Sequence, residues 1–326
     1  MRIWLLRRLL LCVPTLVGLS LVTFLLSRLA PGGPFSSLLD SHSQARVSPQ
    51  EIEAMQHLLG LDRPLPAQYF EWLRRFATLD FGTTLGIAPE PVAAKVGAAL
   101  QVTFWLQLAS VTLMLGIGVP LGVWCAARAG TRREKATGTL LFLLHSAPLL
   151  LLGTLLMKLL CVGPLRLLPM IGLRSPDAPD HGLAGALDLV RHAVLPVACI
   201  ALAGLPGIAR YARAGMLDEL ARPFMVAAAA RGIPEWRRLF VHALRGGILP
   251  IVALLGQIVP FLVVGSVTVE KLFSLPGMGQ LAADAILARD YPTVMAVSVV
   301  VGVAAMAGFL LADVIQALLD RRVRVA

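Results

Sequence analysis

The residue types that do chemistry are thinly spread along this chain. Six histidines are dispersed, and four cysteines, Cys12, Cys125, Cys161 and Cys199, fall within or beside apolar runs without any CxxC or Cys/His cluster. No HExxH, GxSxG or EF-hand pattern occurs, and the dipeptide Gly-Lys never appears. A phosphate-binding loop needs that lysine beside its glycine cradle, so the chain is expected not to hydrolyse ATP itself. Ionisable side chains in apolar surroundings are what remain: His145, Lys158, Glu270 and Asp313. A charge inside a membrane is costly, which makes such groups pathway candidates, although a place near a span end lets a long side chain snorkel to water.

The densest signal is Val226 to Pro250, VAAAARGIPEWRRLFVHALRGGILP. Ala227, Ala228, Ala229 and Ala230 are a run of the best helix former, and Gly232 breaks it. Pro234 can open a second helix, because its missing N–H is not needed in a first turn. At a period of 3.6 that helix places Trp236, Leu239, Phe240, Ala243 and Leu244 on one face, with Glu235, Arg237, Arg238, His242 and Arg245 on the other. A helix, a glycine turn and a basic amphipathic helix between apolar segments suit contact with a partner.

Composition sets what must hold this stretch. Of 326 residues 57% are hydrophobic and 15% charged, outside the range of soluble domains. The reading is an all-α polytopic membrane protein, because several apolar runs reach the roughly 20 residues needed to cross a bilayer as helix. Six spans are expected: Leu9–Leu26, Gln101–Ala127, Ala136–Leu160, His192–Ala209, Gly246–Val269 and Thr293–Leu318. The first is read as an uncleaved span rather than a signal peptide, given its length and Arg28 at its boundary. Pro196 and Pro206 are expected to bend the fourth.

Residues 30–98 form a large external insertion. Ser48, Pro49 and Glu51 predict a helix toward Leu59, and a second is predicted from near Pro66 with Tyr69, Trp72, Leu73 and Phe76 on its apolar face. Residues 161–191 read as a loop rich in Pro, Gly and Asp. Between spans five and six, Leu275-Pro276-Gly277 reads as a turn before a short re-entering or surface helix. The domain plan is therefore 1–29, 30–98 and a core of 99–326 carrying the loop 210–245.

The net charge of +10 does not point to nucleic acid, because its distribution follows the membrane. The N-terminus, the RAGTRREK loop, loop 210–245 and the tail hold 17 Lys/Arg against 6 Asp/Glu, whereas the remaining segments hold 12 and 13. The positive-inside rule then places both termini and loop 210–245 in the cytoplasm.

The alanine-rich turn before Gly232 and the later Leu249-Pro250 resemble the cytoplasmic loop of ABC-importer permeases. Other blocks resemble the dipeptide/oligopeptide branch of that family, B-type subunit, in order along nearly the whole chain. They are RRLLLCVPTLVGLSLVTFLLSRLAPGGP, LGLDRPLPAQYFEWLRR, LDFGTT, HAVLP, ARYARAGMLDEL, EKLFSLPGMGQL, DAILARDYP and ALLDRRVR. Val226 stands where the general signature has an acid, and the gap from Gly232 to Pro250 is longer than in the general pattern.

The resemblance implies a permease subunit of an inner-membrane importer of short peptides, forming half of a translocation path. A second homologous permease, two cytoplasmic ATPases and an external substrate-binding protein are the implied partners. ATP and magnesium would be held by the ATPases, with no cofactor, metal or catalytic residue in this chain. Ala227, Ala228, Gly232, Pro234, Trp236, Arg237 and Pro250 would carry the coupling contact. The rival reading is a secondary transporter or channel working without ATPases, for which internal repeats and interrupted midplane spans would speak.

Overall fold

The computed structural model describes residues 2–29, 63–85, 89–162, 167–179 and 182–319. Among them the regular structure is helical, with one isolated antiparallel bridge between Thr83 and Pro91. The helix expected at Ser48–Leu59 lies outside the described residues. The chain divides into two compact units, Met1–Thr103 with Pro276–Met306, and Phe104–Leu275 with Ala307–Ala326.

In the first unit, α1 (Arg2–Leu29) packs against α2 (Leu65–Ala77) through aromatic rings. Phe24, 1% exposed, meets Tyr69 edge-on at 5.4 Å and Trp72 at 6.5 Å. Ser20 Oγ and the Tyr69 hydroxyl share a hydrogen bond of 2.9 Å. Tyr69, Trp72, Leu73 and Phe76 are all half-buried, so the face expected of this helix is the one that packs. The core of the unit joins Val92, Val96 and Ala99 at the start of α3 (Val92–Ala127) to Met278, Ala296 and Val297. Two polar ties fix it: the Met278 N–H donates to Thr103 Oγ1 at 2.8 Å, and the Leu85 N–H to Asp290 Oδ1 at 3.1 Å.

The second unit continues α3 and adds α4 (Arg132–Ser146) and α5 (Leu149–Met157), the latter prolonged by a π-helical turn, Lys158–Val162. The single span expected at Ala136–Leu160 is broken: α4 and the α5 segment meet at 97°. Pro148 is the cause. A proline clashes with an α-helical residue before it, and Ala147 accordingly lies at φ −72°, ψ 126°.

Helix α6 (Gly182–Leu220) is longer than expected at both ends. It begins inside the stretch read as loop and runs through Pro196 and Pro206. Its 39 residues span about 58 Å at 1.5 Å per residue, well beyond a hydrocarbon core of about 30 Å. The first eleven residues of loop 210–245, up to Leu220, thus belong to a continuous helix that projects past the apolar span.

The segment expected as span five is divided among α9 (Leu244–Gly247), α10 (Leu249–Ala253), α11 (Leu255–Val264) and α12 (Val267–Leu272). Pro250 lies in the first turn of α10, Pro260 lies inside α11, and Gly265 ends α11 at φ +73°. Proline removes a ladder donor, and a left-handed glycine turns the chain, so the run is apolar enough to span but not one straight rod. The expected turn and short helix follow: α13 is Met278–Leu287, before α14 (Tyr291–Leu319). Four helices, α1, α3, α6 and α14, are long and apolar enough to cross a membrane, and the bent α4–α5 pair makes a fifth candidate.

Candidate coupling site

From Leu220 the chain turns into α7 (Pro223–Ala230), whose proline sits in the first turn where no donor is needed. The helix ends in a Schellman pair. The Gly232 N–H donates to the Ala229 carbonyl at 2.9 Å and the Ile233 N–H to the Ala228 carbonyl at 3.2 Å. This closure needs a left-handed residue, and Gly232 supplies it at φ +73°. Pro234 then accepts from the Arg237 and Arg238 N–H groups as the cap of α8 (Glu235–Arg237).

Helix α8 does not continue as an α-helix. Arg238–Ala243 is π-helical and leads into α9. A π turn spends an extra residue per hydrogen-bonded loop and shifts the phase of the side chains. Leu239, Ala243 and Leu244 therefore join a core with Val123, Ala126, Met216 and Met225, while Trp236 and Phe240 are 63% and 46% exposed. The expected apolar face is split in two.

On α7 the Ala228 side chain is buried with Met225, whereas Ala227 is exposed and Val226 is 70% exposed. Phe224, Val226, Trp236, Phe240 and Val241 thus leave apolar surface uncovered, and Arg237 and Pro234 are exposed beside it. Pro250 is half-buried in α10, beyond this surface.

Three contacts in the second unit seat this segment. A Cβ on Gly215 would overlap the Gly247 carbonyl, so α6 and α9 meet backbone to backbone. Next, Glu219 is 6% exposed, lies over Gly246, where a Cβ would overlap its carboxylate, and pairs with Arg222 at 3.0 Å. Finally, Arg213 on α6 pairs with Glu134 on α4 at 3.0 Å. Thr131 caps α4 by accepting from the Glu134 N–H at 3.3 Å, which leaves the Glu134 carboxylate for Arg213. A cavity of about 360 Å³ adjoins this pair, lined by Cys125, Phe142, Arg210 and Arg213 among others.

The polar candidates of the apolar segments lie on four different elements. His145 is exposed in the last turn of α4, and Lys158 is exposed where the π turn begins. Glu270 is fully buried in α12 and accepts from the Ser266 N–H at 3.3 Å. Asp313 is half-buried in α14. Among the described residues no group of three His, Cys, Asp or Glu side chains is placed to hold a metal ion.

An apolar helical chain bearing a helix, a glycine turn and a partly uncovered basic segment is matched from outside by sequence. Residues 118–325 match the family described as binding-protein-dependent transport system inner membrane component. The chain belongs to that family. Residues 1–98 match the N-terminal region described for the same kind of membrane component.

Relatives of this inner membrane component include the oligopeptide transport system permease protein AppB of Bacillus subtilis, 32% identical over 99% of both chains. The dipeptide transport system permease protein DppB of Lactococcus lactis is 31% identical over 98% of this chain and 99% of its own. The oligopeptide transport system permease protein OppB of Mycobacterium bovis is 35% identical over 99% of both. Within this transport component, sequence reasoning missed Glu134, Arg213, Gly215 and Glu219. Thr131-x-x-Glu134 is a readable cap signal, but its ion-pair partner lies 79 residues away.

Proposed function

We propose that this chain is the permease subunit of an ATP-driven importer of short peptides in the inner membrane. The observation that carries the proposal is the uncovered segment from Pro223 to Val241, held on long apolar helices in a chain of this family. Six crossings follow if the bent α4–α5 pair is one and the broken run α9–α12 another, with both termini and α7 cytoplasmic by the charge distribution. A second permease supplies the other half of the path, two ATPases seat on the cytoplasmic segments, and a binding protein delivers peptide from outside. Relatives named as oligopeptide and dipeptide permeases support this cargo class.

In this reading the chain is no enzyme. ATP-driven closure of the ATPases below acts on α7 as a rigid-body push and switches the cavity above. The test is affinity purification of the tagged chain from its own membranes, with mass spectrometry of what accompanies it and peptide uptake by vesicles made from the same membranes. ATPase and permease subunits in the eluate, with ATP-dependent peptide uptake, are expected. A chain that transports peptide with no ATPase present overturns the proposal.

A further inference from the structure

The apolar surface of α7 and α8 explains where a partner can sit, but not how a push there reaches the membrane. Arg222 is the residue that caps α7, and it is tied back to Glu219, one turn earlier on α6. Glu219 is the unusual member. Its side chain is 8% exposed although that of Arg222 is largely in solvent, and its carboxylate is laid over the backbone of α9 at Gly246. Burying a carboxylate is unfavourable unless it is paired, and an apolar residue at position 219 would pack against Gly246 without that cost. The charge therefore serves the tie to Arg222 rather than the packing.

The surroundings make this tie mechanical. Gly215, one turn before Glu219, is in backbone contact with Gly247, and Met216 and Met225 share a core with Ala243. Helices α6, α7 and α9 thus meet at a junction where α6 and α9 touch backbone to backbone at Gly215 and Gly247. Close-packed interfaces of this kind shift as units rather than deform continuously.

We propose that Glu219, seated on Gly246 and paired with Arg222, is a positioning residue that locks α7 to α6 and α9, so that a force on α7 moves both helices together. This rests on the permease reading and specifies how its coupling segment transmits motion. Without the tie, α7 can still dock but pivots about the Leu220–Pro223 turn, and ATP is hydrolysed without a matching change in the membrane.

The experiment uses the full importer, reconstituted in proteoliposomes, with Glu219→Gln or Gly246→Ala in this chain. The first removes the charge at constant shape, and the second displaces the carboxylate by a methyl group. Peptide taken up per ATP hydrolysed is expected to fall about 5-fold or more in both, with the subunits still assembled. Amide exchange of Met225–Ile233 is expected to quicken about 10-fold in the same variants. Unchanged uptake per ATP in both overturns the proposal. So does loss of assembly in Glu219→Gln, which assigns the residue to folding. If the wild-type chain carries no ATPase subunits, the permease reading fails instead, and the exchange measurement alone decides whether Glu219 holds α7 in place.

Discussion

Arg213 donates from Nε to Glu134 Oε1 at 3.0 Å, and its Nη2 lies 3.0 Å from the same oxygen as an ion pair. The pair fastens the short basic connection after α3 to the projecting end of α6. Glu134 is mostly buried while Arg213 keeps some solvent, so removing either partner strands a desolvated group more severely than removing both. A double-mutant cycle with Glu134→Gln and Arg213→Gln should therefore show a coupling of about 0.5–3 kcal/mol. Thermal unfolding in detergent measures it, and additive single effects would show that the pair is ornamental to the fold.

Gly232 stands at φ +73° with open space around its hypothetical Cβ, so only backbone strain opposes substitution. Gly232→Val should cost about 1–2 kcal/mol locally and loosen the Schellman closure of α7. Gly232→Asn, which tolerates the left-handed region, should be much milder. Peptide transport and ATPase co-purification should fall together in the valine variant at a normal membrane level. Full transport by Gly232→Val would remove the glycine turn from the coupling account.

Topology is tested with single cysteines in a background lacking Cys12, Cys125, Cys161 and Cys199. Thr78 and Ala129 are exposed on either side of α3 in sequence. Thr78→Cys should react with an impermeant maleimide from outside, and Ala129→Cys only after the membrane is opened. Labelling of both from the same side would refute the orientation by charge.

Glu71 lies on α2, and its carboxyl is held below the ordinary glutamate range by hydrogen bonds from Arg74 and then Arg75, at 3.2 and 3.1 Å. A carboxyl whose folded-state pKa lies below its unfolded value stabilises the fold above the unfolded value. That contribution is lost as pH falls through the lowered folded value. Below about pH 4 the wild type and Glu71→Gln should thus converge in stability, with the wild type slightly ahead near neutrality. The pair is exposed, so the gap should be small and should shrink in high salt. A gap that widens on acidification would contradict the assignment.

What the sequence determined by itself was everything local in origin. Helical class follows from apolar run length and composition. The α2 face of Tyr69, Trp72, Leu73 and Phe76 and the glycine stop at Gly232 follow from propensity and backbone restriction. Family blocks such as ARYARAGMLDEL were legible because they are contiguous. The tertiary structure decided what depends on distant neighbours. Proline at 148 could have kinked a span or broken it, and only the packed chain shows a turn of 97°. The π turn at Arg238–Ala243 divided one predicted apolar face, taking Leu239 into the core and leaving Trp236 outside. Glu134 and Arg213, Gly215 and Gly247, and Glu219 and Gly246 met because three helices fold onto one another. A sequence read at helical period carries no term for contacts made between elements, and those contacts are where the segment from Pro223 to Val241 joins the long apolar helix α6.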